Sequence, residues 1–289
     1  MSFFLTALLT SAALFPQENR SGVPIPAVPD FQRDHAETFG RQIAEFADLY
    51  DRGWKDEIWQ GKMILFDASG DSVERSTVRY TLENPDKGDK SLVRFMTPAE
   101  YKGVAALTHE NPAGNDDQWL YLPSNRKVQR ISGANKTASF QGTEFTYEDL
   151  AAIEVNKYKW RFLEEVELRK GEETIACYKV EGVPQYRDTG YSRLLFWFRQ
   201  DNFRREQVEY YDRASQLLKV MQSRGWEAVH GRFQRPAIME MKNVQTKKST
   251  LLEVEKRFLN LSLYKSRRTG KARPNLTEEF FTTRALQSR

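Results

Sequence analysis

The spacing of apolar residues changes at Gly53. Before it, Phe39, Ile43, Phe46 and Tyr50 recur at three- and four-residue intervals, which places them on one stripe of an α-helix. The pattern predicts a helix over residues 34–52, with Asp34 as its N-cap, Glu37 as the capping-box partner and Gly53 as the stop. Such a stripe must be laid on something, most simply a sheet. After Trp54 the period becomes two. Ile58, Gln60, Lys62, Ile64 and Phe66 fall on one face, and Trp59, Met63 and Leu65 on the other. A turn at residues 67–71 contains Gly70, after which Val78, Tyr80 and Leu82 alternate with Thr77, Arg79 and Thr81. Two alternating runs around a glycine turn predict a hairpin. A polar turn at 84–90 and a strand over 91–96 follow.

The second half has the same texture. Trp160, Phe162, Val166 and Leu168 are expected on one face, Gly171 in a turn, and residues 174–180 in the returning strand. Residues 191–198 are apolar on both faces, with Leu194, Phe196 and Phe198 opposite Tyr191, Leu195 and Trp197. Further strands are expected over 204–211, 217–222, 233–242 and 250–261. The total is roughly ten strands with short connections, an antiparallel meander. A C-terminal helix is expected with Thr277 as cap, Glu278 and Glu279 in its first turn, Arg284 near its end, and Phe280, Phe281 and Leu286 on its apolar side.

Composition narrows the class. Aromatics make up 12% of the 289 residues, which favours strands, and the length is enough for one large β domain. The formal net charge of +4 comes from interspersed Lys, Arg, Asp and Glu. With no basic stripe or nucleic-acid-binding motif, no nucleic-acid partner is expected. The mild positive balance suits transient contact with an anionic membrane surface. Residues 3–15 are uncharged and mostly apolar, with Ser11, Ala12 and Ala13 at a cleavage-site position. That length is a signal-peptide core and too short to span a membrane, although no Lys or Arg precedes it. Residues 1–16 are therefore expected to be a cleaved signal peptide. Residues 17–33, with Pro24, Pro26 and Pro29, form an extended leader, and residues 34–289 form a single domain.

Reactive chemistry is sparse. The single cysteine, Cys177, lies in the strand-like run Ile175–Tyr178 and reads as a small buried hydrophobe. His35, His109 and His230 lack metal-ligand spacing, and no nucleotide-binding or nucleophile-elbow motif is present. Neither a metal nor a cofactor is expected. Glu144, Glu148 and Asp149 are clustered. Paired carboxylates serve as acid and base in glycoside hydrolysis, but Thr146 and Asp149 also have the spacing of a helix cap and its partner. Residues 133–150 have no clear period and are rich in Gly, Ser and Thr, yet carry Phe140, Phe145 and Tyr147. Such a loop is either a lid over a binding site or an Ω-loop whose aromatics plug the core.

The run YLPSNRKVQRISGANKTASFQGTEFTYEDL resembles the signature of the LolA-like outer-membrane lipoprotein-sorting proteins. The first part of that signature falls on Leu122, Pro123, Arg126, Lys127, Val128, Arg130 and Ile131. The second falls on Ser139, Phe140, Gly142, Phe145, Tyr147, Glu148, Asp149 and Leu150. Thr143 stands where the family usually has Ser. The flanks agree, with Phe95, Pro98, Lys102, Gly103 and Leu107 on one side and Phe281, Thr282 and Leu286 at the end.

The resemblance implies a periplasmic, mainly β protein: an incomplete antiparallel β-barrel around an apolar cavity, covered by helices. It implies a carrier or chaperone for lipid or acylated lipoprotein rather than an enzyme, with acyl chains as the ligand. Two alternatives stay open. One is an accessory subunit of an inner-membrane exporter of the resistance-nodulation-division type, without free cargo. The other is an envelope glycan hydrolase using the carboxylate cluster. Trp119 and Tyr121 share a strand face, and Phe140 and Phe145 lie on the loop after the next hairpin. On that basis the cavity and its cover are expected to be lined by Phe95, Trp119, Tyr121, Phe140, Phe145 and Tyr147.

Overall fold

The computed structural model describes residues 24–261 and 276–287. The expected signal peptide lies outside the described residues, as does the first part of the leader. Residues 24–32 have no regular secondary structure. Helix α1 spans Ala36–Asp51, and its N-cap position falls on His35 with no side-chain cap. Asp34 is thus one residue too early to cap, and the expected capping box with Glu37 does not form. Packing anchors the start of the helix instead. The ring of Phe31 lies 5.6 Å from that of Phe39 and 6.2 Å from that of Phe46. Phe39, Ile43 and Phe46 are buried as the stripe predicts, and Gly53 turns the chain away at φ +98°.

Thirteen strands form one antiparallel sheet. The first group is β1 (Asp56–Phe66), β2 (Ser72–Leu82), β3 (Lys90–Phe95), β4 (Ala105–His109), β5 (Asp117–Leu122) and β6 (Lys127–Arg130). The second is β7 (Tyr158–Lys170), β8 (Glu173–Pro184), β9 (Tyr191–Arg199), β10 (Arg205–Asp212), β11 (Leu217–Val229), β12 (Phe233–Asn243) and β13 (Ser249–Leu259). Strand order runs β6-β5-β4-β3-β2-β1-β13-β12-β11-β10-β9-β8-β7. Two meanders are therefore joined where β13 pairs with β1, with β6 and β7 as the edges among the described residues. The sheet is an incomplete barrel, as expected. The ten strands set out from the sequence leave out the short β4 and β6, and β5, whose Trp119 and Tyr121 are expected only to share a strand face.

The inner face carries two apolar clusters. One joins α1 to β7–β12 through Phe39, Ile43, Trp160, Phe196, Phe198 and Tyr210. The other gathers Trp59, Met63, Val93, Phe95, Phe140 and Leu252. Gly40 is the contact point of α1 with β7, where a Cβ would sit 2.3 Å from Phe162 N, so the close approach needs glycine.

A β-bulge between Phe162 and Glu164 shifts the register of β7 on β8. It reverses the side-chain alternation beyond it. Trp160 and Phe162 consequently pack inward with α1, while Val166 and Leu168 pack outward with Ile175, Cys177, Leu195 and Trp197. The four residues expected on one face are split between two. Burial pushes the Cys177 thiol up to about 12, which keeps it an inert part of that outer cluster.

The C-terminal segment covers the outer face of the other half. It is not one helix. A 3-10 turn at Glu278–Phe280 is separated from α2 (Thr283–Gln287) by Phe281 at φ −98° and ψ 59°. Thr277 holds the N-cap position without a side-chain cap bond. Phe281 and Leu286 are fully buried against Leu92, Ala105 and Leu107. His109 Nε2 lies 2.7 Å from the Phe281 carbonyl oxygen, pinning the segment.

Candidate functional site

The two edges of the sheet are joined by residues 131–157, and this connection crosses the inner face as a strap. Both halves of the sheet hold it. The guanidinium of Arg75 on β2 donates to the Gln141 carbonyl, and Gln118 on β5 donates to the Tyr147 carbonyl at 2.7 Å. From the other side, Thr250 on β13 accepts the Glu144 N–H at 2.9 Å. Lys219 on β11 meets Asp149 at 2.5 Å, with both side chains almost completely buried. Arg79 on β2 donates to the Leu150 carbonyl at 3.0 Å.

The three clustered carboxylates serve this strap. Thr146 N–H donates to Asp149 at 2.7 Å and Asp149 N–H donates to Thr146 Oγ1 at 3.2 Å, the reciprocal cap that their spacing allows. Asp149 also accepts the Tyr191 hydroxyl at 2.8 Å. Glu148 accepts from Tyr186, Thr189 and the Gly190 N–H at 2.6–2.8 Å, and burial raises its pKa. Glu144 accepts from Asn243 at 2.9 Å. Each carboxylate has its own partners, and the three act as ties between strap and wall.

Beside the strap the inner face is hollow. A cavity of about 570 Å³ lies between α1 and the sheet, within the roughly 300–1,000 Å³ of typical small-molecule pockets. Helix α1 turns Ala44, Ala47 and Asp51 toward it, positions that share one face. Phe39 packs on Phe162 and Tyr178, and Phe46 on Phe203, so these two alanines leave space. The far wall is Trp160, Phe196, Phe198 and Tyr210. The near wall follows from strand register. Arg257, Trp59, Arg79 and Val93 are successive partners across β13, β1, β2 and β3.

Charged groups also line the cavity. Arg235 pairs with Asp51 at the end of α1, and Glu57 lies 2.9 Å from Arg257 and 3.5 Å from Arg235. The Glu57–Arg257 contact is an ion pair without an aligned hydrogen bond. Outside the lining, Arg232 donates to the carbonyls of Leu49 and Tyr50, where a cation complements the helix C-terminus. Burial pushes Glu83 up to about 7 and Glu110 up to about 8. Each accepts a backbone N–H in partial compensation, from Gly53 at 2.9 Å and Ala152 at 2.8 Å respectively.

The expected ligand-binding residues do not assemble into one pocket. Phe95 and Phe140 are fully buried and stack at 5.3 Å. Tyr147 packs edge-on to Phe140 at 5.6 Å. These three lie in the cluster beneath the strap. Trp119 and Tyr121 pack on the opposite face of the sheet with the C-terminal segment, because Leu120 between them points inward. Phe145 alone of the six borders the cavity. The walls instead use Trp59, Phe196 and Phe198, which the alternating pattern places on definite faces without saying which face is hollow. Ala44 and Ala47 carry no sequence signal beyond their helical spacing.

Comparison with known proteins gives a consistent picture. A family model described as an uncharacterized protein matches residues 87–288. No curated protein matches the sequence. A domain from Vibrio parahaemolyticus, named for outer membrane lipoprotein sorting, is 33% identical, with a TM-score of 0.77 over 86% of this chain and 98% of that one. A DUF1329 family protein from Desulfovibrio piger is 25% identical, with a TM-score of 0.76 over 87% and 99%. A LolA superfamily protein from Nitrosomonas europaea is 19% identical and shares the fold, with a TM-score of 0.63 over 85% and 98%.

Proposed function

The chain belongs to the LolA-like outer-membrane lipoprotein-sorting protein family, and from that premise we propose that it is a periplasmic carrier that shelters the acyl chains of a lipid or acylated lipoprotein between α1 and the sheet. The observation that carries this reading is the hollow between Ala44 and Ala47 on one side and Trp59, Trp160 and Phe196 on the other. An acyl chain gains about 0.8 kcal/mol for each methylene removed from water, so ten methylenes supply roughly 8 kcal/mol before the costs of ordering. The role needs no reactive group, which accords with carboxylates spent on holding the strap. It also accords with export through a cleaved segment at residues 1–16.

Mass spectrometry of lipids extracted from protein purified out of the periplasm tests the reading, together with N-terminal sequencing. The expected result is a stoichiometric lipid and a mature N-terminus close to residue 17. Lipid-free protein that also fails to bind added acyl chains would overturn it.

A further inference from the structure

Arg79 is out of place in the hollow. Its row on the sheet continues as Trp59 on one side and Val93 on the other, and both line the cavity with it. Most cations bordering the cavity are paired: Arg52 with Asp48, Arg204 with Glu206, Arg235 with Asp51, Arg257 with Glu57, and Lys157 with Asp116. Among the described residues, Arg79, Lys136 and Arg205 line it with no carboxylate at ion-pair distance. Lys136 is spent on the Asp116 carbonyl at 2.7 Å, and Arg205 is exposed.

Arg79 is the cation among the apolar residues. Its Nη2 donates to Ser91 Oγ at 3.1 Å and to the Leu150 carbonyl at 3.0 Å. Both acceptors are neutral, and Nε and Nη1 remain for the cavity. Burial pulls its pKa down, and Glu110, Glu57 and Asp89 oppose that from beyond contact distance. Glu57 is committed to Arg257 and Arg235. Glu110 is pushed up to about 8 by burial and is largely protonated near neutrality. A guanidinium removed from bulk water without a counter-ion is costly. An occupant that brings an anionic oxygen beside it removes that cost, and either the Nε–H or the Nη1–H can donate to a carboxylate or phosphate oxygen.

We infer that Arg79 is the headgroup anchor of the cavity and that the ligand is an anionic amphiphile, whose acidic oxygens meet the Arg79 guanidinium while its chain lies against Trp59, Trp160 and Phe196. The inference rests on the carrier reading and narrows it to acidic ligands. A fatty-acid carboxylate and a lipid phosphate present the same chemistry to Arg79, so the test separates them.

The experiment is competition for a bound fluorescent fatty acid on the full mature chain. The competitors are palmitic acid, its methyl ester, lysophosphatidic acid and lysophosphatidylcholine. The wild-type protein is expected to prefer each acidic ligand over its uncharged or zwitterionic counterpart by about tenfold or more, the scale of one charged hydrogen-bonded contact. The stronger of the two acids identifies the headgroup. Arg79→Met should lose the preference and keep the methyl-ester affinity, and Arg79→Lys should regain part of it. A purely structural tie to Leu150 would weaken all four ligands alike. Equal binding of acid and ester by the wild type, or a preference that survives in Arg79→Met, overturns the anchor and leaves the carrier reading standing. If Arg79→Met does not fold, Arg79→Lys takes its place: an undiminished acid preference there, or equal binding of acid and ester by the wild type, overturns the anchor. Failure of every amphiphile to bind overturns both.

Discussion

One face of one sheet is treated in two ways. Under the strap it is filled: Phe95 and Phe140 are fully buried and stacked, and the Lys219–Asp149 pair is sealed from solvent. Under α1 the same face is hollow. The covering element there offers Ala44 and Ala47 where the strap offers phenylalanines. The difference lies in the covering elements, since strand β1 contributes Trp59 and Met63 to both the cavity wall and the filled cluster. Filling one part with a stiff, hydrogen-bonded segment lets the neighbouring part stay empty without collapse. Stability and binding should accordingly be separable by mutation.

The largest effects should come from the filled part. Lys219→Met leaves Asp149 buried without its cation, and breaking such a pair costs about 3–5 kcal/mol. Urea melts should show it as a lower midpoint. Phe140→Ala opens a void beneath the strap and should cost about 3–5 kcal/mol of stability. Lipid affinity should stay unchanged in molecules that remain folded. A Phe140→Ala protein that is stable but fails to bind would erase the distinction between the two regions.

Substitutions in the hollow should do the reverse. Ala47→Phe fills space that α1 leaves open, and should weaken acyl-chain binding about tenfold or more, at least 1.4 kcal/mol. Its unfolding midpoint should move little, because the new ring enters a cavity rather than a packed core. An isotherm matching the wild type would place the ligand elsewhere.

Glu110 gives a smaller and pH-dependent effect. Its folded pKa of about 8 lies above the ordinary carboxylate value of 4.5, so the folded state holds a proton that the unfolded chain releases. This contribution is therefore fully present at pH values below 4.5 and is lost as pH rises through about 8. Glu110→Gln should remove it. The stability of the variant relative to wild type should increase between pH 5 and pH 8.5, by about 1 kcal/mol or more. Parallel pH profiles would contradict the assignment. The smallest change belongs outside both regions. Arg41→Ala breaks an exposed pair with Glu45 on α1 and should shift stability by less than about 0.5 kcal/mol.

These regions were unequally legible in the sequence. The α1 stripe and the long hairpins follow from local periodicity, which one face of burial imposes directly. The short strands β4 and β6 offer too few alternations to register. The bulge after Phe162 reverses the outer half of β7 in a way that a continuous period of two conceals. The strap announces itself through its aromatics and its family signature. Its destination does not, because it depends on which strands lie at the edges of the sheet. Trp119 and Tyr121 read as a binding face, yet alternation alone cannot say which side of the sheet is inner. Arg79 reads as one of the polar members, with Thr77 and Thr81, of an alternating strand, and only the assembled barrel reveals that it borders a hollow.

Quenching of tryptophan fluorescence by a brominated fatty acid tests most directly where the ligand lies. Trp59 and Trp160 line the hollow, and Trp119 lies on the opposite face of the sheet. Saturable quenching is expected in the wild type. It should shrink in Trp59→Phe and Trp160→Phe and keep its full amplitude in Trp119→Phe. Quenching that disappears with Trp119, or no saturable quenching at all, would contradict a ligand held between α1 and the sheet.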